Sequence, residues 1–255
     1  MVVASYRKGI KITDVWFQND MSAMNISTDI IRYYGMDEEK VPSEFFSIRQ
    51  NTLLTDLSVD EELLRSKIKS KGFKGDIRKS CQDEIEIRYS ENGDISGELL
   101  QAFSMCYSSM FASKGIKNQL NIRKIHSYIE VGCLVISCVY YESQPIVFHA
   151  YVKDSLHSRF LYSCSDFRKD DSEMQRLIGR ANKRLHWEDW MYLKQQGIVS
   201  YDWGGINSFL EPNSIDQFKM HFGGQEHTYC NVFVPVTSFG KVMLNFFEKR
   251  QRRLR

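Results

Sequence analysis

The chain has 255 residues, of which 42% are hydrophobic and 26% charged, values typical of a globular protein that buries a core without disulfides. This composition excludes a disulfide-stapled miniprotein and a disordered chain. Lys and Arg number 34 and Asp and Glu 32, and the resulting net charge of +2 argues against a DNA-binding protein. The six cysteines form no Cys-x-x-Cys pair, so no zinc site is expected.

The sequence also predicts the cellular compartment in which the protein resides. Its first residues lack the apolar core of a signal peptide. The longest apolar run is about ten residues, too short to span a bilayer. We therefore expect a reduced, cytoplasmic protein with no membrane span. The basic run at residues 249–255 is interpreted as the solvated end of a helix.

The first half of the chain is weakly patterned. Residues 13–17 and 51–58 predict short strands. Residues 58–72 predict a helix, with Ser58 and Glu61 as a capping box and Gly72 as its end. Alternation over residues 83–90 predicts an edge strand, closed by an Asn-Gly turn.

The second half is patterned more clearly. Apolar spacing and a terminal Gly predict a helix over residues 96–115. Three apolar runs with short links then predict an antiparallel meander, at residues 126–141, 145–152 and 159–167. Alternating helices and strands follow, with helices at 176–197, 214–224 and 238–255 and strands at 198–205 and 228–236.

The helix after the meander carries a possible anion-binding motif, Arg176-Leu177-Ile178-Gly179-Arg180-Ala181. Backbone amides at a helix start bind anions, and a Gly allows close approach. The alternative is a Gly that serves helix packing. The order of these elements resembles that of the GNAT superfamily of N-acyltransferases. In that order, three antiparallel strands are followed by this motif, a helix and a further strand. The resemblance implies that these six residues bind the pyrophosphate of acyl-CoA, in a cleft shared with Asp202 and Lys219.

Residues 179–224 resemble more closely the FemAB-like branch of that fold, the peptidoglycan bridge enzymes and their cell-envelope relatives. The matching runs are Leu185-His186-Trp187, Lys194-Gln195-Gln196-Gly197, Tyr201-Asp202-Trp203-Gly204-Gly205 and Phe218-Lys219-Met220-His221-Phe222-Gly223. The resemblance implies an α/β fold with a mixed sheet. It implies a GNAT-like acyltransferase domain at 96–255 and a smaller, degenerate GNAT-like half at 1–95. The chain is shorter than the bridge-forming enzymes.

Four residues are the candidates for catalysis. Tyr201 and Asp202 end a strand, where ligands bind in open α/β sheets, and Asp202 is a base, an amine-orienting carboxylate or simply a turn residue. Lys219, by the resemblance, faces the acyl-transfer centre and stabilises negative charge on the tetrahedral intermediate or on a substrate phosphate, unless it is an exposed helical lysine. His149 is a base or a packing residue of its strand.

These features predict an N-acyltransferase that moves an acyl group from acyl-CoA, such as acetyl-CoA, to an amino group of a cell-envelope sugar or peptide intermediate. No metal is expected. One alternative is a FemAB-type enzyme whose donor is charged tRNA, and another is a non-catalytic member that binds a ligand in the same crevice. The sequence identifies neither the acceptor nor the oligomeric state. The fold itself predicts that the strand near 198–203 lies parallel to the third meander strand and separates from it at one end.

Overall fold

The computed structural model describes residues 1–21, 26–166 and 171–252, without the side chains of the last two of these residues. Its ten strands are β1 (Val2–Lys8), β2 (Ile10–Trp16), β3 (Ile30–Met36), β4 (Phe46–Asp56), β5 (Ile85–Glu91), β6 (Leu134–Tyr141), β7 (Gln144–Lys153), β8 (His157–Ser165), β9 (Ser200–Asp202) and β10 (Gln225–Pro235). Its seven α-helices are α1 (Glu61–Lys67), α2 (Lys71–Ser80), α3 (Gly97–Ala112), α4 (Ile122–Glu130), α5 (Ser172–Gln195), α6 (Ser214–Phe222) and α7 (Ser238–Arg252).

All ten strands form one mixed sheet, in the order β1-β2-β3-β10-β4-β9-β8-β7-β6-β5. Strands β6, β7 and β8 are antiparallel neighbours, which confirms the predicted meander. Strand β5 lies at the edge beside β6, as its alternating pattern predicts. The α/β fold class with a mixed sheet is therefore confirmed.

Strands β8 and β9 pair in parallel over three residues and then separate. The paired residues are His157–Arg159 and Ser200–Asp202, after which β8 continues to Ser165 paired with β7 only. Residues that follow β9 stay with β4 instead, through the bonds from Trp203 N to Leu53 O and from Ile206 N to Asn51 O. The predicted parallel pair that opens at one end is thus confirmed.

A β-bulge lies at the opening. The register between β7 and β8 shifts between Ala150, which faces Tyr162, and Tyr151, which faces Phe160. Leu161 is the extra residue, two positions after the last residue paired with β9. Bulges leave the extra residue's backbone outside the ladder and often stand beside active sites.

Helices cover both faces of the meander. Alternate residues of β6 point to opposite sides, with Ile136 packed among residues of α3 and α4 and Val135 packed against α5. A strand covered on both faces is expected to be continuously apolar, as β6 is. Among the residues described, no helix combines the length and apolar character that crossing a bilayer requires.

The predicted first strand of the meander is partly helix. Residues 126–130 belong to α4, whose N-cap Asn121 accepts a hydrogen bond from Lys124 N. Ile125 and Tyr128 bury one face of this helix. The prediction missed it because its apolar spacing runs directly into the apolar strand β6.

The predicted helix over 58–72 is in fact two helices. Asp60, and not Ser58, caps α1, and Ser70 caps α2. Gly72 consequently lies in the first turn of α2 instead of ending α1. The capping residues Asp60 and Ser70 each accept the amide three positions later, the usual N-cap geometry.

The predicted division at residue 95 stays a prediction. Strands from the two sides of this position interleave in the sheet, since β5 pairs with β6 and β10 lies between β3 and β4. Any two halves of the molecule therefore share one continuous hydrogen-bonded sheet.

Candidate active site

An ion pair stands where β8 and β9 separate. Arg159 Nη1 donates to Asp202 Oδ2, and both side chains are largely buried. Asp202 Oδ1 also accepts from Thr52 Oγ1 and from Gly204 N, the latter at 2.8 Å. Burial opposes the charge of Arg159, but the interactions with Asp202 and Tyr229 together outweigh it and raise the pKa of the guanidinium. The guanidinium is thus held in its charged form.

The ion pair lines a cavity of about 360 Å³, a size that suits a small ligand. Strands on the β1 side of the sheet also line the cavity. Trp16 and Tyr34 come from β2 and β3, and Tyr229 comes from β10. The rings of Trp16 and Tyr34 stack with centroids 3.8 Å apart, and Arg159 lies over the rings of Trp16 and Tyr229. An aromatic and charged cavity of this kind can orient a polar substrate.

Lys219 reaches the opening from α6. Its Nζ donates to Gly205 O at 2.8 Å. A Cβ built on Gly204 would lie 3.9 Å from this Nζ and 2.8 Å from Phe160 O, so the ammonium stands close to the gap between β8 and residues 203–205. Burial, and then repulsion from Arg159, lower the pKa of Lys219 to about 8. The structure therefore brings two sequence candidates together, Asp202 and Lys219, and adds Arg159 to them.

The lowered pKa can be measured without a substrate. After reductive ¹³C-methylation, the Lys219 resonance is expected to titrate near pH 8 instead of near its ordinary value of 10.5. Replacing Arg159 by Gln removes a like charge and is expected to raise this pKa, whereas Asp202→Asn removes an opposite charge and is expected to lower it. Lys219→Arg identifies the resonance, and a midpoint near 10.5 would contradict the lowered pKa of Lys219.

Stability should respond to the same group. A lysine whose pKa is lower folded than unfolded binds its proton less well in the folded state. Its destabilising effect is full below pH 8 and is relieved as the pH rises from about 8 toward 10.5. The lowered pKa therefore means that the charged Lys219 reduces the free energy of unfolding. Perturbed pKa values of this kind are typical of functional sites.

His149 lies in a buried network and not in the open cavity. Its Nδ1 is 2.7 Å from Asp189 Oδ2 and its Nε2 is 2.9 Å from Asn182 Oδ1. Tyr151 also donates to Asp189. A base needs access to its substrate, and His149 is completely buried.

The same network contains the one set of potential metal ligands found among the described residues. His149, His186 and Asp189 offer ligand atoms within 4.8 Å of one another. Both ring nitrogens of His149 are already hydrogen-bonded, however, and the rings of His149 and His186 overlap with centroids 4.1 Å apart. Hydrogen bonding and packing therefore account for His149, whereas His186 Nδ1 and Asp189 Oδ1 have no hydrogen-bond partner among the described residues.

Tyr201 is also separated from the cavity. Neighbouring strand residues point to opposite faces, so Tyr201 points away from the face that holds Asp202. It packs among Tyr151, Trp190 and Trp203 and is completely buried. Burial raises the pKa of its hydroxyl well above the ordinary value.

The hexapeptide 176–181 does not open its helix, and that part of the prediction is wrong. Helix α5 begins at Ser172, so the amides of 177–181 lie within the helix, where they bond to preceding carbonyls. Two of the amides at the true N-terminus, those of Glu173 and Met174, donate to the carboxylate of Asp171. The protein's own carboxylate stands where an anionic ligand would bind.

The hexapeptide's side chains have separate roles. Ile178 and Ala181 pack against Val139 and Val147 in the core. Arg180 is paired with Asp83, at 2.7 Å. Residues Arg176 and Leu177 line a second cavity of about 360 Å³ that shares no lining residue with the Arg159 cavity. Ile178 and Ala181 are therefore explained by helix packing, and pyrophosphate binding by the hexapeptide stays a prediction.

Sequence reasoning missed Arg159, Thr52 and the aromatic pair of β2 and β3. Arg159 carried a usable signal, because a charged residue inside an apolar strand must be paired or functional. Thr52, Trp16 and Tyr34 carried none, since they join the site through pairing between distant strands.

A three-strand antiparallel meander, whose last strand pairs in parallel with the next strand and then separates from it, defines the GNAT acyltransferase fold. The structure has this arrangement, and the predicted fold is confirmed. No family model matches the sequence, and no curated protein matches it.

Solved structures share the fold at low sequence identity. FemX aligns with a TM-score of 0.58 at 11% identity, over 80% of this chain and 72% of its own. L-PGS from Bacillus licheniformis aligns with a TM-score of 0.56 at 11% identity, over 95% of this chain and 83% of its own. A third is the C-terminal domain (DUF2156) of a protein described as a lysylphosphatidylglycerol synthetase from Agrobacterium fabrum. Its TM-score is 0.55 at 9% identity, over 80% of this chain and 67% of that one.

Proposed function

We propose that the protein is an acyltransferase that joins an activated acyl group to an amino group at the opening between β8 and β9. The observation that carries the proposal is the convergence there of three features: the Arg159–Asp202 pair, Lys219 and the bulge at Leu161. An acyl transfer needs a site that fixes the nucleophile and stabilises an oxyanion. The fold shared with FemX and L-PGS supports the same class of reaction.

Each group has a distinct task in this reaction. The neutral amine attacks the acyl carbonyl, whose oxygen becomes an oxyanion. As the carbonyl re-forms, the C–S or C–O bond to the donor breaks, and the proton lost by the amine goes to the departing thiolate or alkoxide, or to solvent. The Lys219 ammonium, charged below pH 8, stabilises the oxyanion together with the backbone amide that the bulge leaves outside the ladder. Asp202 already accepts three hydrogen bonds, which suits orientation of an amine better than removal of its proton.

The first candidate donor is acyl-CoA, and the acceptor is the amine of a cell-envelope sugar or peptide intermediate. The backbone of β8 beyond Arg159 is open on the side of β9, where an amide-containing pantetheine chain can pair as an extra strand. With the amides at the start of α5 occupied, Arg176 would meet the pyrophosphate through its side chain.

The second candidate donor is charged tRNA, and one observation favours it. Residues 65–79, over α1 and α2, contain seven basic side chains and a single acid. Lys67 and Lys69 of this segment line a cavity of about 760 Å³ that shares Leu54 and Ser200 with the Arg159 cavity. A basic surface beside the site suits a phosphate backbone.

Transfer of labelled acyl groups tests the proposal. Acetyl-CoA and aminoacyl-tRNA are offered as donors to a panel of amino sugars and amine-terminated peptides. Lys219→Met is expected to lower kcat about 10²–10³-fold, the usual effect of losing one oxyanion donor. Lys117→Met, a change at an exposed loop lysine, is the control and is expected to have no effect.

Binding separates the alternatives. Saturable calorimetric binding of acetyl-CoA supports the first donor. Binding of charged tRNA that weakens in Lys69→Glu and Lys71→Glu supports the second. Turnover unaffected by Lys219→Met would contradict the assigned site, and absence of binding by both donors would favour a non-catalytic, ligand-binding protein.

A further inference from the structure

Helix α7 presents an apolar stripe to solvent. Phe239, Val242, Met243 and Phe246 follow the spacing of one helical face and are 40–66% exposed. The helix has a separate inner face, where Leu244 is buried against Ile10 and Ile30. The exposed apolar stripe is therefore not the surface by which the helix packs on the sheet.

The helix cannot easily rotate to bury this stripe. A Cβ built on Gly240 would stand 2.1 Å from Asp29 O, so the helix backbone lies directly on that segment. Thr237 Oγ1 donates to Asp29 Oδ1 at 2.8 Å and accepts from Gly240 N at 3.0 Å. The orientation of α7 is thus fixed at its start, with the stripe outward.

Basic residues accompany the stripe. Lys241, Lys249, Arg250 and Arg252 belong to the helix, and the sequence continues with Arg253 and Arg255. Glu248 is the one acidic residue from 238 to 255. Aromatic and aliphatic side chains beside a cluster of cations are the pattern of a helix that lies in the interface of an anionic bilayer.

We propose that α7 docks the protein on an anionic lipid surface, with Phe239, Val242, Met243 and Phe246 inserted among the lipids and with Lys249 and Arg250 against the headgroups. A second copy of the chain suits the stripe less well, because pairing of two such helices would bring like charges together with little acid to offset them. The proposal does not depend on the transferase reaction.

Vesicle co-sedimentation tests it with no donor or acceptor present. The protein is expected to bind vesicles of phosphatidylcholine mixed with phosphatidylglycerol, to bind phosphatidylcholine vesicles weakly, and to be released by salt. Phe246→Ser is expected to weaken binding about tenfold, since it removes one inserted aromatic ring. Exchanging Lys249 and Arg250 for Glu together is expected to weaken it by at least about tenfold.

Leu210→Ser is the matched control, because Leu210 is 95% exposed in a loop outside α7. It is expected to bind like the unmodified chain, and circular dichroism verifies that each variant is folded. Equal binding by Phe246→Ser and the unmodified chain would overturn the proposal. So would a dimer, seen by light scattering, that Phe246→Ser dissociates.

Discussion

Asp202→Ala is expected to lower the free energy of unfolding by about 3–5 kcal/mol, because it leaves the buried Arg159 guanidinium without its counter-charge. The same substitution removes the acceptor for Thr52 Oγ1 and Gly204 N. Urea denaturation followed by circular dichroism measures the change.

A double-mutant cycle separates the contribution of the Arg159–Asp202 ion pair from that of the other hydrogen bonds to Asp202. Arg159→Met combined with Asp202→Ala is expected to cost less than the sum of the two single changes, since neither charge is then left unpaired. Glu86→Ala, which breaks the exposed Glu86–Arg88 pair, is the control and is expected to have a small effect. If Asp202→Ala were no more costly than this control, the buried pair would not hold β8 and β9 together.

Gly223→Ala is expected to lower the free energy of unfolding by at least about 3 kcal/mol, through backbone strain and a steric clash together. Gly223 has φ +89° and ψ −155°, a conformation restricted to glycine. A Cβ there would stand 2.5 Å from Lys67 O, which is backbone and cannot turn aside.

Gly197→Ala is the matched control. Its φ of +83° is similar, but a Cβ there meets nothing within 4 Å. The control is expected to cost about 1–2 kcal/mol, the price of the left-handed conformation alone. Equal costs at the two positions, measured by urea denaturation, would show that the segment around Lys67 moves away. The comparison also gives a physical reason for the last residue of the Phe-Lys-x-x-Phe-Gly run: it brings α6 against the end of α1.

Much of the fold could be predicted because local signals and packing agree. Helices α3, α6 and α7 have caps, Gly ends or apolar spacing, and the meander strands are apolar and closely linked. Helix α4 was missed because its apolar spacing runs straight into an apolar strand. The beginning of α5 was misplaced because the hexapeptide 176–181 was taken as its first turn, whereas it lies inside the helix.

The candidate site was predictable only in part. Asp202 and Lys219 were found because each belongs to a run that resembles a known family. Arg159 binds Asp202 across a parallel strand pair of three residues, and no spacing within the sequence encodes that contact. His149 and Tyr201 are buried because each lies on the face of its strand that α5 covers. The sequence pattern does not indicate which face that is.

The place of β10 in the sheet has a consequence for how the chain folds during synthesis. This strand lies between β3 and β4, with Cys230 beside Met36 on one side and Arg49 on the other. A ribosome must therefore produce most of the polypeptide before the first three strands can join the others by hydrogen bonds. Until then β3 and β4 have exposed edges that can pair with other nascent chains. Slow refolding and a need for chaperones are expected to accompany a strand that arrives so late.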